Sequence, residues 1–184
     1  LTQEIIGTTI DDAAGEAFDK SAKMLGLPYP GGPLIDKNAQ LGNPLTYKFA
    51  EPQIQGLNYS FSGVKTSILY FLQAQKKLNE QFISENMHHL CASIQHTIIK
   101  ILMKKLLAAS KETGIKEICI AGGVSANSGL RKALQEYGVK YKWNTYIPKF
   151  EYCTDNAAMI AITAYYKYLN NEFASYNDIA SARN

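Results

Sequence analysis

The sequence feature that most constrains the fold is a pair of adjacent glycines between a short apolar segment and an amphipathic one. Residues 117–121 have the composition of a buried strand, and residues 128–137 have the pattern of a helix. Gly122 and Gly123 form the turn between them, where paired glycines allow backbone geometries that a β-carbon penalises. Exposed N–H groups at such a turn, next to a helix N-terminus, suit a phosphate or another anion. A plain structural turn is the alternative, and two glycines alone do not separate these interpretations.

Composition narrows the class of protein. The 184 residues are 46% hydrophobic, enough for one core or for one domain with a smaller lobe. The sequence shows no signal-peptide pattern and no run of about 18 apolar residues, so it predicts neither secretion nor a membrane span. Its three cysteines form no CxxC pair, which favours a reducing cytoplasm over a disulfide or zinc framework. A net charge of +3 permits a nucleic-acid partner without demanding one.

Strand and helix patterns alternate along the chain, which predicts an α/β fold with a mixed sheet. Strands are expected over residues 1–9 and 140–147, and an antiparallel hairpin is expected over residues 45–61, where aromatic and polar residues alternate. Asp11 or Asp12 is expected to cap the first helix, which ends before Gly26. The later helices are expected over residues 33–42, 66–82, 85–113, 128–137 and 154–169. A polar end that frays is expected after them.

Three carboxylates fall on one side of the first predicted helix. Asp12, Glu16 and Asp19 are spaced by four and then three residues, so their side chains share a face. One interpretation is a solvated face with ion pairs between Glu16 and Lys20 and between Asp19 and Lys23. The other is that one or two of these acids accept hydrogen bonds from a hydroxylated or amino-bearing ligand.

A stiff loop with three prolines and two glycines, residues 27–33, leads to the next helix. Pro33 suits the first position of that helix, and Asp36 falls in its first turn, where a carboxylate interacts well with the helix dipole. The alternative is that Asp36 forms a second polar wall of a ligand pocket, opposite Asp19.

Asp155 precedes the last predicted helix. Thr154 or Asp155 is a candidate N-cap for that helix. The functional alternative places Asp155 at the lip of the same cleft as Gly122 and Gly123, where it would bind a metal ion. One carboxylate is not a metal site, so other ligands would have to come from elsewhere.

The sequence lacks the residue spacing that several common functional motifs require. Residues 60–66 contain glycine, lysine and threonine, but the GxxxxGK[ST] spacing of a phosphate loop is absent. His88, His89 and His96 lack the spacing of a zinc helix, so we interpret them as surface or partner histidines. No Ser-His-Asp, Cys-His or HExxH pattern supports a protease.

Five short motifs occur in order along residues 2–169. They are IDDAAGEAFDK (10–20), YPGGP (29–33), SFSG (60–63), AGGVSAN (121–127) and CTDN (153–156). Together they resemble the TsaD family of tRNA N6-adenosine threonylcarbamoyltransferases, formerly described as O-sialoglycoprotein endopeptidases or glycoproteases. The resemblance implies an actin-like ATPase fold, which is ribonuclease H-like, with two α/β lobes and a nucleotide cleft. It implies that residues 1–170 are the C-terminal part of this domain, with a helical and hairpin insertion at 11–65, an α/β core at 66–170 and a polar tail at 171–184.

The resemblance also implies an activity and a set of site residues. The family transfers the threonylcarbamoyl group from threonylcarbamoyl-AMP to N6 of the adenosine beside the anticodon, in tRNAs that read codons starting with A. Residues that match its nucleotide-substrate contacts are Asp19, Gly32, Asp36 and Asn127, with Gly122 and Gly123 giving access to main chain, and Asp155 matches its metal ligand. Implied cofactors are one divalent metal, iron or zinc with magnesium as a third option, and threonylcarbamoyl-AMP or ATP/ADP. Implied partners are tRNA and the proteins of the modifying complex, of the TsaB and TsaE type in bacteria, in the cytoplasm and without a membrane.

Two parts of the family pattern are absent from the chain, an HxxxH metal pair and a Ser-Gly-Gly-His stretch. The resemblance therefore covers roughly the C-terminal half. Because the chain begins at Leu1 without an initiator methionine, we expect it to be a piece of a longer protein. We expect this piece alone to bind metal weakly and to be inactive as a transferase. Two other functions stay open, a carbamoyltransferase of the hydrogenase-maturation or antibiotic type and a non-catalytic module that docks to partner subunits.

Overall fold

A computed structural model describes residues 3–179 of the chain. Its regular elements in this range are α1 (Ala14–Met24), α2 (Gly31–Ala39), α3 (Ser62–Leu78), α4 (Phe82–Thr113), β1 (Glu117–Cys119), α5 (Ser128–Tyr141), β2 (Asn144–Tyr146) and α6 (Ala157–Leu169). Short 3₁₀ turns precede α5 and α6. The predicted α/β class is confirmed, with far more helix than strand.

Helix α4 is the centre of the fold, and α1, α2, α3 and α5 pack around it. It carries 32 residues, and Leu90, Ile94 and Ile98 on it are completely shielded from solvent. One core cluster joins α4 to the helices before it, through side chains such as Phe18, Ile35, Phe61 and Ile68. A second cluster joins α4 to α5 and the sheet, through Met103, Ile118, Leu134 and Trp143. The broad apolar surface of α4 is therefore shared between two groups of elements.

The sheet consists of β1 and β2, which pair in parallel with Glu117 opposite Asn144 and Cys119 opposite Tyr146. Helix α5 is the crossover between them, since parallel neighbours cannot be joined by a tight turn. The predicted mixed sheet is wrong for residues 3–179, where both paired strands are parallel.

The predicted strand at residues 1–9 is wrong for the residues that the structure describes, and the first two residues lie outside them. Backbone hydrogen bonds join Thr8 and Ile10 to Tyr59, at 2.9 and 3.0 Å, and make one isolated bridge. A strand needs a neighbour along its whole length. Here the backbone pairing is limited to the bridge at Tyr59, and the residues on either side of it form no strand.

The predicted hairpin at residues 45–61 is also wrong. The Tyr47 N–H donates to the Ser93 hydroxyl (3.1 Å) and the Ala50 N–H donates to the Ser67 hydroxyl (3.0 Å), so these groups bond to helices rather than to a partner strand. The alternation of aromatic residues has a different cause. The rings of Tyr47 and Phe49 both pack against Phe71 of α3, at 5.1 and 5.6 Å between ring centres.

Asp11 holds the start of α3 rather than that of α1. Helix α1 begins without a side-chain cap, so the predicted capping by Asp11 or Asp12 is wrong. The Asp11 carboxylate accepts hydrogen bonds from the Ser60 hydroxyl and from the Phe61 N–H (2.8 Å). Partial burial alone would raise the pKa of Asp11, but these hydrogen bonds and those from Ser62 outweigh it and lower the pKa from 3.8 to about 2.

Helix boundaries otherwise agree with the prediction to within a few residues. Gly26 and Gly114 adopt φ +81° and +73° after α1 and α4, as a glycine that terminates a helix does. Helix α5 continues to Tyr141, so the second strand begins at Asn144 rather than at the predicted residue 140. Helix α2 begins at Gly31 rather than at Pro33, so Asp36 lies in its second turn.

Helix α6 has no buried residue, although most of its side chains are apolar or aromatic. Ile160 and Ile162 are 73% and 52% exposed. Residues 170–179 follow it without helix or strand, and the last five residues of the predicted polar tail lie outside the described part. Within residues 3–179, no helix combines the length and the hydropathy that a membrane crossing would need.

Candidate functional site

The turn at Gly122 and Gly123 follows β1 and leads directly into α5. Gly122 has φ +79° and ψ 174°, a conformation that glycine alone adopts without strain. The prediction that this position needs a glycine is confirmed. A β-carbon built on either glycine meets no atom within 4 Å, so the space beside the turn is open.

That open space is a cleft of about 440 Å³. The turn residues line one part of it, and Ala13, Ala14 and Gly15 at the start of α1 line another. Three apolar side chains of α4 and one tyrosine also line the cleft: Leu102, Met103, Leu106 and Tyr59. A helix N-terminus without a side-chain cap and a glycine turn therefore border the same cleft, an arrangement that suits an anionic group.

The two glycines of the turn should respond differently to substitution. We expect Gly122→Ala to lower the free energy of unfolding by about 1–3 kcal/mol, because alanine is strained at a φ of +79°. Gly123→Ala is the matched control, since Gly123 has no positive φ and its β-carbon has open space, and we expect a change within about 0.5 kcal/mol. Urea unfolding of both variants measures the difference. Equal losses of stability would contradict the assignment of the strain to Gly122.

Asp19 lies on α1 and contacts the start of α2. Its Oδ1 accepts hydrogen bonds from the N–H groups of Gly31 (2.8 Å) and Gly32 (3.1 Å). The expected ion pair with Lys23 does not form among the described residues. Asp19 instead supplies the acceptor that the first N–H groups of a helix lack within the helix itself. A β-carbon on Gly31 would overlap that of Ala22, so α1 and α2 approach closely here.

Asp19 also borders a second cleft, of about 460 Å³. Its other lining residues are Lys20, Lys23, Leu27, Pro28, Tyr29 and Gly31. This cleft shares no lining residue with the one at Gly122 and Gly123. The structure therefore does not bring Asp19 and the glycine turn into one cleft.

The predicted ion pair between Glu16 and Lys20 is confirmed, and Lys20 also pairs with Asp12, which the sequence did not predict and whose side chain is only 16% exposed. Lys20 Nζ lies 2.7 Å from a carboxylate oxygen of each. Hydrogen bonds to Asp12 and then to Glu16 raise the pKa of Lys20. The second oxygen of Asp12 is 3.6 Å from Lys65 Nζ. Asp12 itself precedes α1 rather than lying on its face.

Asp36 and Asn127 meet at the N-terminus of α5. The two carboxylate oxygens of Asp36 accept hydrogen bonds from the N–H (2.9 Å) and the hydroxyl (2.6 Å) of Ser128, so its place in a first-turn dipole interaction was wrongly predicted. Asn127 is the N-cap of α5, and its Oδ1 accepts from the Leu130 N–H at 2.9 Å. Its Nδ2 donates to Gln95 Oε1 at 2.7 Å, in a buried position. Both polar atoms of the Asn127 amide are therefore engaged inside the protein.

Asp155 is exposed ahead of α6. The N-cap of that helix is Asn156, whose Oδ1 accepts from the Met159 N–H at 3.1 Å, so the predicted capping by Thr154 or Asp155 is wrong. Asp155 does not line the cleft at the glycine turn. Within residues 3–179, no three His, Cys, Asp or Glu side chains are grouped closely enough to hold a metal ion. Asp155 thus offers one exposed carboxylate, and a metal would need its other ligands from outside this range.

The three histidines lie on α4. His89 has a structural contact, because its Nδ1 accepts a hydrogen bond from the Asn43 N–H at 3.0 Å. His88 and His96 are exposed.

Sequence reasoning missed two polar side chains near the site. Gln95 on α4 holds the Asn127 amide, and Arg131 on α5 contacts the segments on both sides of that helix. Neither residue belongs to a recognised motif, and their partners lie up to 32 residues away. A glutamine on a largely apolar helix is the one signal that could have drawn attention, since a buried amide needs a partner.

Known proteins give a consistent match. A family model described as TsaD, tRNA N6-adenosine threonylcarbamoyltransferase, matches residues 2–162. Proteins of that name from Christiangramia forsetii and Riemerella anatipestifer are each 59% identical over 180 residues, which is 98% of this chain and 53% of the relative. The protein of that name from Caldicellulosiruptor saccharolyticus is 44% identical over 174 residues, 95% of this chain and 51% of the relative. The chain spans about half the length of the curated relatives it matches. It belongs to the TsaD family.

Proposed function

We propose that this chain is part of a tRNA N6-adenosine threonylcarbamoyltransferase. In this reaction the threonylcarbamoyl group of threonylcarbamoyl-AMP moves to N6 of the adenosine beside the anticodon, in tRNAs that read codons starting with A. The observation that carries the proposal is the family match over residues 2–162, to which relatives with that name at 59% identity add weight.

The cleft at Gly122 and Gly123 is the part of the chain best suited to an adenosine nucleotide. Its volume of about 440 Å³ lies within the range of small-molecule sites. The open backbone of the turn and the uncapped start of α1 suit phosphate charge. The apolar side chains of α4 give a surface against which a base could pack.

The other matched residues, Asp19, Gly32, Asp36 and Asn127, do not line this cleft, and we assign them roles beside it. Asp19 Oδ1 is occupied by the start of α2, whereas Oδ2 has no hydrogen-bond partner in residues 3–179, and we assign Oδ2 to a nucleotide hydroxyl. Gly32 belongs to that same helix start, where its backbone is half-buried beside Asp19. Asp36 and Asn127 fix the N-terminus of α5, which follows the glycine turn. We expect the remaining half of the protein to supply the opposite wall and to join the two clefts.

The transfer reaction depends mainly on how the N6 amine and the carbonyl carbon are positioned. A bond forms between N6 and the carbonyl carbon, the bond from that carbon to the AMP phosphate oxygen breaks, and N6 loses a proton. The amine is a weak nucleophile, so orientation and charge stabilisation carry most of the rate. Donors at the glycine turn and at the start of α1 would stabilise the charge that develops on the departing phosphate.

The family implies one divalent metal, and Asp155 would be its ligand from this chain. A metal would polarise the reacting carbonyl or the phosphate. Residues 3–179 hold no complete ligand set for it, so we assign no catalytic step to it in this chain.

The proposal is tested by assaying tRNA threonylcarbamoylation with threonylcarbamoyl-AMP, once with a full-length protein that contains this chain and once with the 184-residue chain. We expect activity in the full-length protein, supplied with partner proteins of the TsaB and TsaE type, and none in the chain alone. An acceptor panel of small molecules in the same assay separates tRNA modification from carbamoyl transfer to another acceptor. Absence of tRNA modification by the full-length protein would contradict the proposed function, and activity of the chain alone would contradict the need for the other half.

A further inference from the structure

We propose that Arg131 is a positioning residue that holds the segment before Asp155 against the glycine turn. This segment consists of residues 148–153 and is called the 148–153 segment below. The proposal rests on the proposed function for its effect on activity, and on the structure alone for its effect on the segment.

The Arg131 guanidinium contacts two parts of the chain at once. Its Nε donates a hydrogen bond to the Ser125 carbonyl at 2.7 Å. Its Nη2 donates to the Pro148 carbonyl at 2.7 Å and lies 3.2 Å from Cys153 Sγ. The guanidinium carbon is 4.0 Å from the centre of the Phe150 ring, in a cation–π contact. One side chain therefore joins the glycine turn to both ends of the 148–153 segment.

Among the hydrogen bonds of residues 3–179, those from Arg131 to the segment have no substitute. The other hydrogen bonds of the 148–153 segment run within it, such as the one from the Cys153 N–H to the Phe150 carbonyl. Within residues 3–179, hydrogen bonds from Arg131 alone join the segment to another element. Removing this side chain would therefore release the segment while leaving the core clusters in place.

The contacts require the shape of arginine as well as its charge. A planar guanidinium directs separate N–H groups at two carbonyls, whereas a lysine ammonium is a compact point charge on a flexible stem. Ser125 and Cys153 are almost fully buried, at 1% and 2% exposure, so these two of the groups that Arg131 contacts have little access to water, whereas Pro148 is half-buried and Phe150 is exposed. A buried carbonyl left without a donor costs free energy.

The position of these contacts connects them to the site. Ser125 lies in the 3₁₀ turn that begins at Gly123, and Cys153 lies two residues before Asp155. A free 148–153 segment would allow Asp155 to move relative to the turn. Misplacement by about 1 Å can cost on the order of 100-fold in rate.

The test compares Arg131→Ala and Arg131→Lys with Lys132→Ala in a full-length protein that contains this chain. Lys132 is the exposed neighbour on the same helix and controls for the loss of a positive charge. We expect hydrogen exchange in the 148–153 segment to rise about tenfold in Arg131→Ala, with unchanged exchange in α4 and β1. We expect kcat to fall 10-fold to 100-fold with an unchanged KM for tRNA, and Arg131→Lys to recover only part of both losses. Lys132→Ala should match the wild type.

The other results decide against the proposal or against the proposed function, and they can be told apart. Unchanged exchange in the 148–153 segment of Arg131→Ala would overturn it, and so would faster exchange spread equally over α4 and β1, since that describes a general loss of stability. Faster exchange of the 148–153 segment in Arg131→Ala with an unchanged kcat would show that Arg131 does not position the site. A wild-type protein without transferase activity would count against the proposed function, and the exchange comparison would still decide whether Arg131 holds the segment.

Discussion

Replacing Asp155 with alanine is expected to lower the transferase activity of a full-length protein that contains this chain by at least about 100-fold. The free energy of unfolding should change by less than about 0.5 kcal/mol, because the side chain is exposed and holds no hydrogen bond within residues 3–179. A loss of activity without a loss of stability would mean that this carboxylate acts on a ligand rather than on the fold. The measurements are steady-state kinetics, metal content by mass spectrometry, and thermal unfolding of the same preparation.

Glu151→Ala is the matched control for Asp155, since Glu151 is an exposed carboxylate four residues earlier in the chain. It should keep the metal content and the activity of the wild type. Near-normal activity in Asp155→Ala would show that the metal role is wrongly assigned. Equal losses in the two variants would point to net charge rather than to ligation.

The second large effect is expected at Asp36. Asp36→Ala should lower the free energy of unfolding by about 2–3 kcal/mol, because it leaves the Ser128 N–H and hydroxyl without their charged acceptor. These two residues are 92 positions apart, so the change also separates α2 from the start of α5. Urea unfolding of the full-length protein measures the loss.

Two variants make the Asp36 experiment specific. Asp36→Asn keeps one carbonyl oxygen and should lose about half as much stability, since hydrogen bonds to a neutral acceptor are weaker than those to a carboxylate. Lys37→Ala, at an exposed neighbour on the same helix, should be nearly neutral. A loss in Asp36→Ala no larger than that in Lys37→Ala would show that the contact with Ser128 adds nothing to stability.

Sequence patterns located the helices because their signals are local. The 3–4 spacing of apolar residues and the glycines that end α1 and α4 depend only on the nearest turns of chain. Residues 45–61 misled the prediction because their period-two pattern arises from packing on distant helices. Ser67 and Ser93 take the hydrogen bonds that a partner strand would otherwise take, and no local pattern encodes that.

In the candidate site, too, features that depend on local sequence could be predicted and features that depend on distant contacts could not. Gly122 could be predicted, since its requirement is a property of one residue's backbone. The partners of Asp19 and Asp36 could not, because the helix starts they contact lie 12 and 92 residues further along the chain. Sequence reasoning singled out both acids and left their hydrogen-bond partners undetermined, and their role toward a ligand stays a prediction.

Three aspartates, Asp11, Asp19 and Asp36, have one feature in common, which bears on how the protein unfolds. Asp11 holds the start of α3, Asp19 on α1 holds the start of α2, and Asp36 on α2 holds the start of α5. Asp19 and Asp36 lie on one helix each, and Asp11 lies in the segment before α1; each carboxylate accepts hydrogen bonds from free N–H groups at the start of another helix. Melting of α1 would deprive α2 of its acceptor, and melting of α2 would then deprive α5. These helices should therefore open in one cooperative step, as a single unit of folding rather than as separable parts.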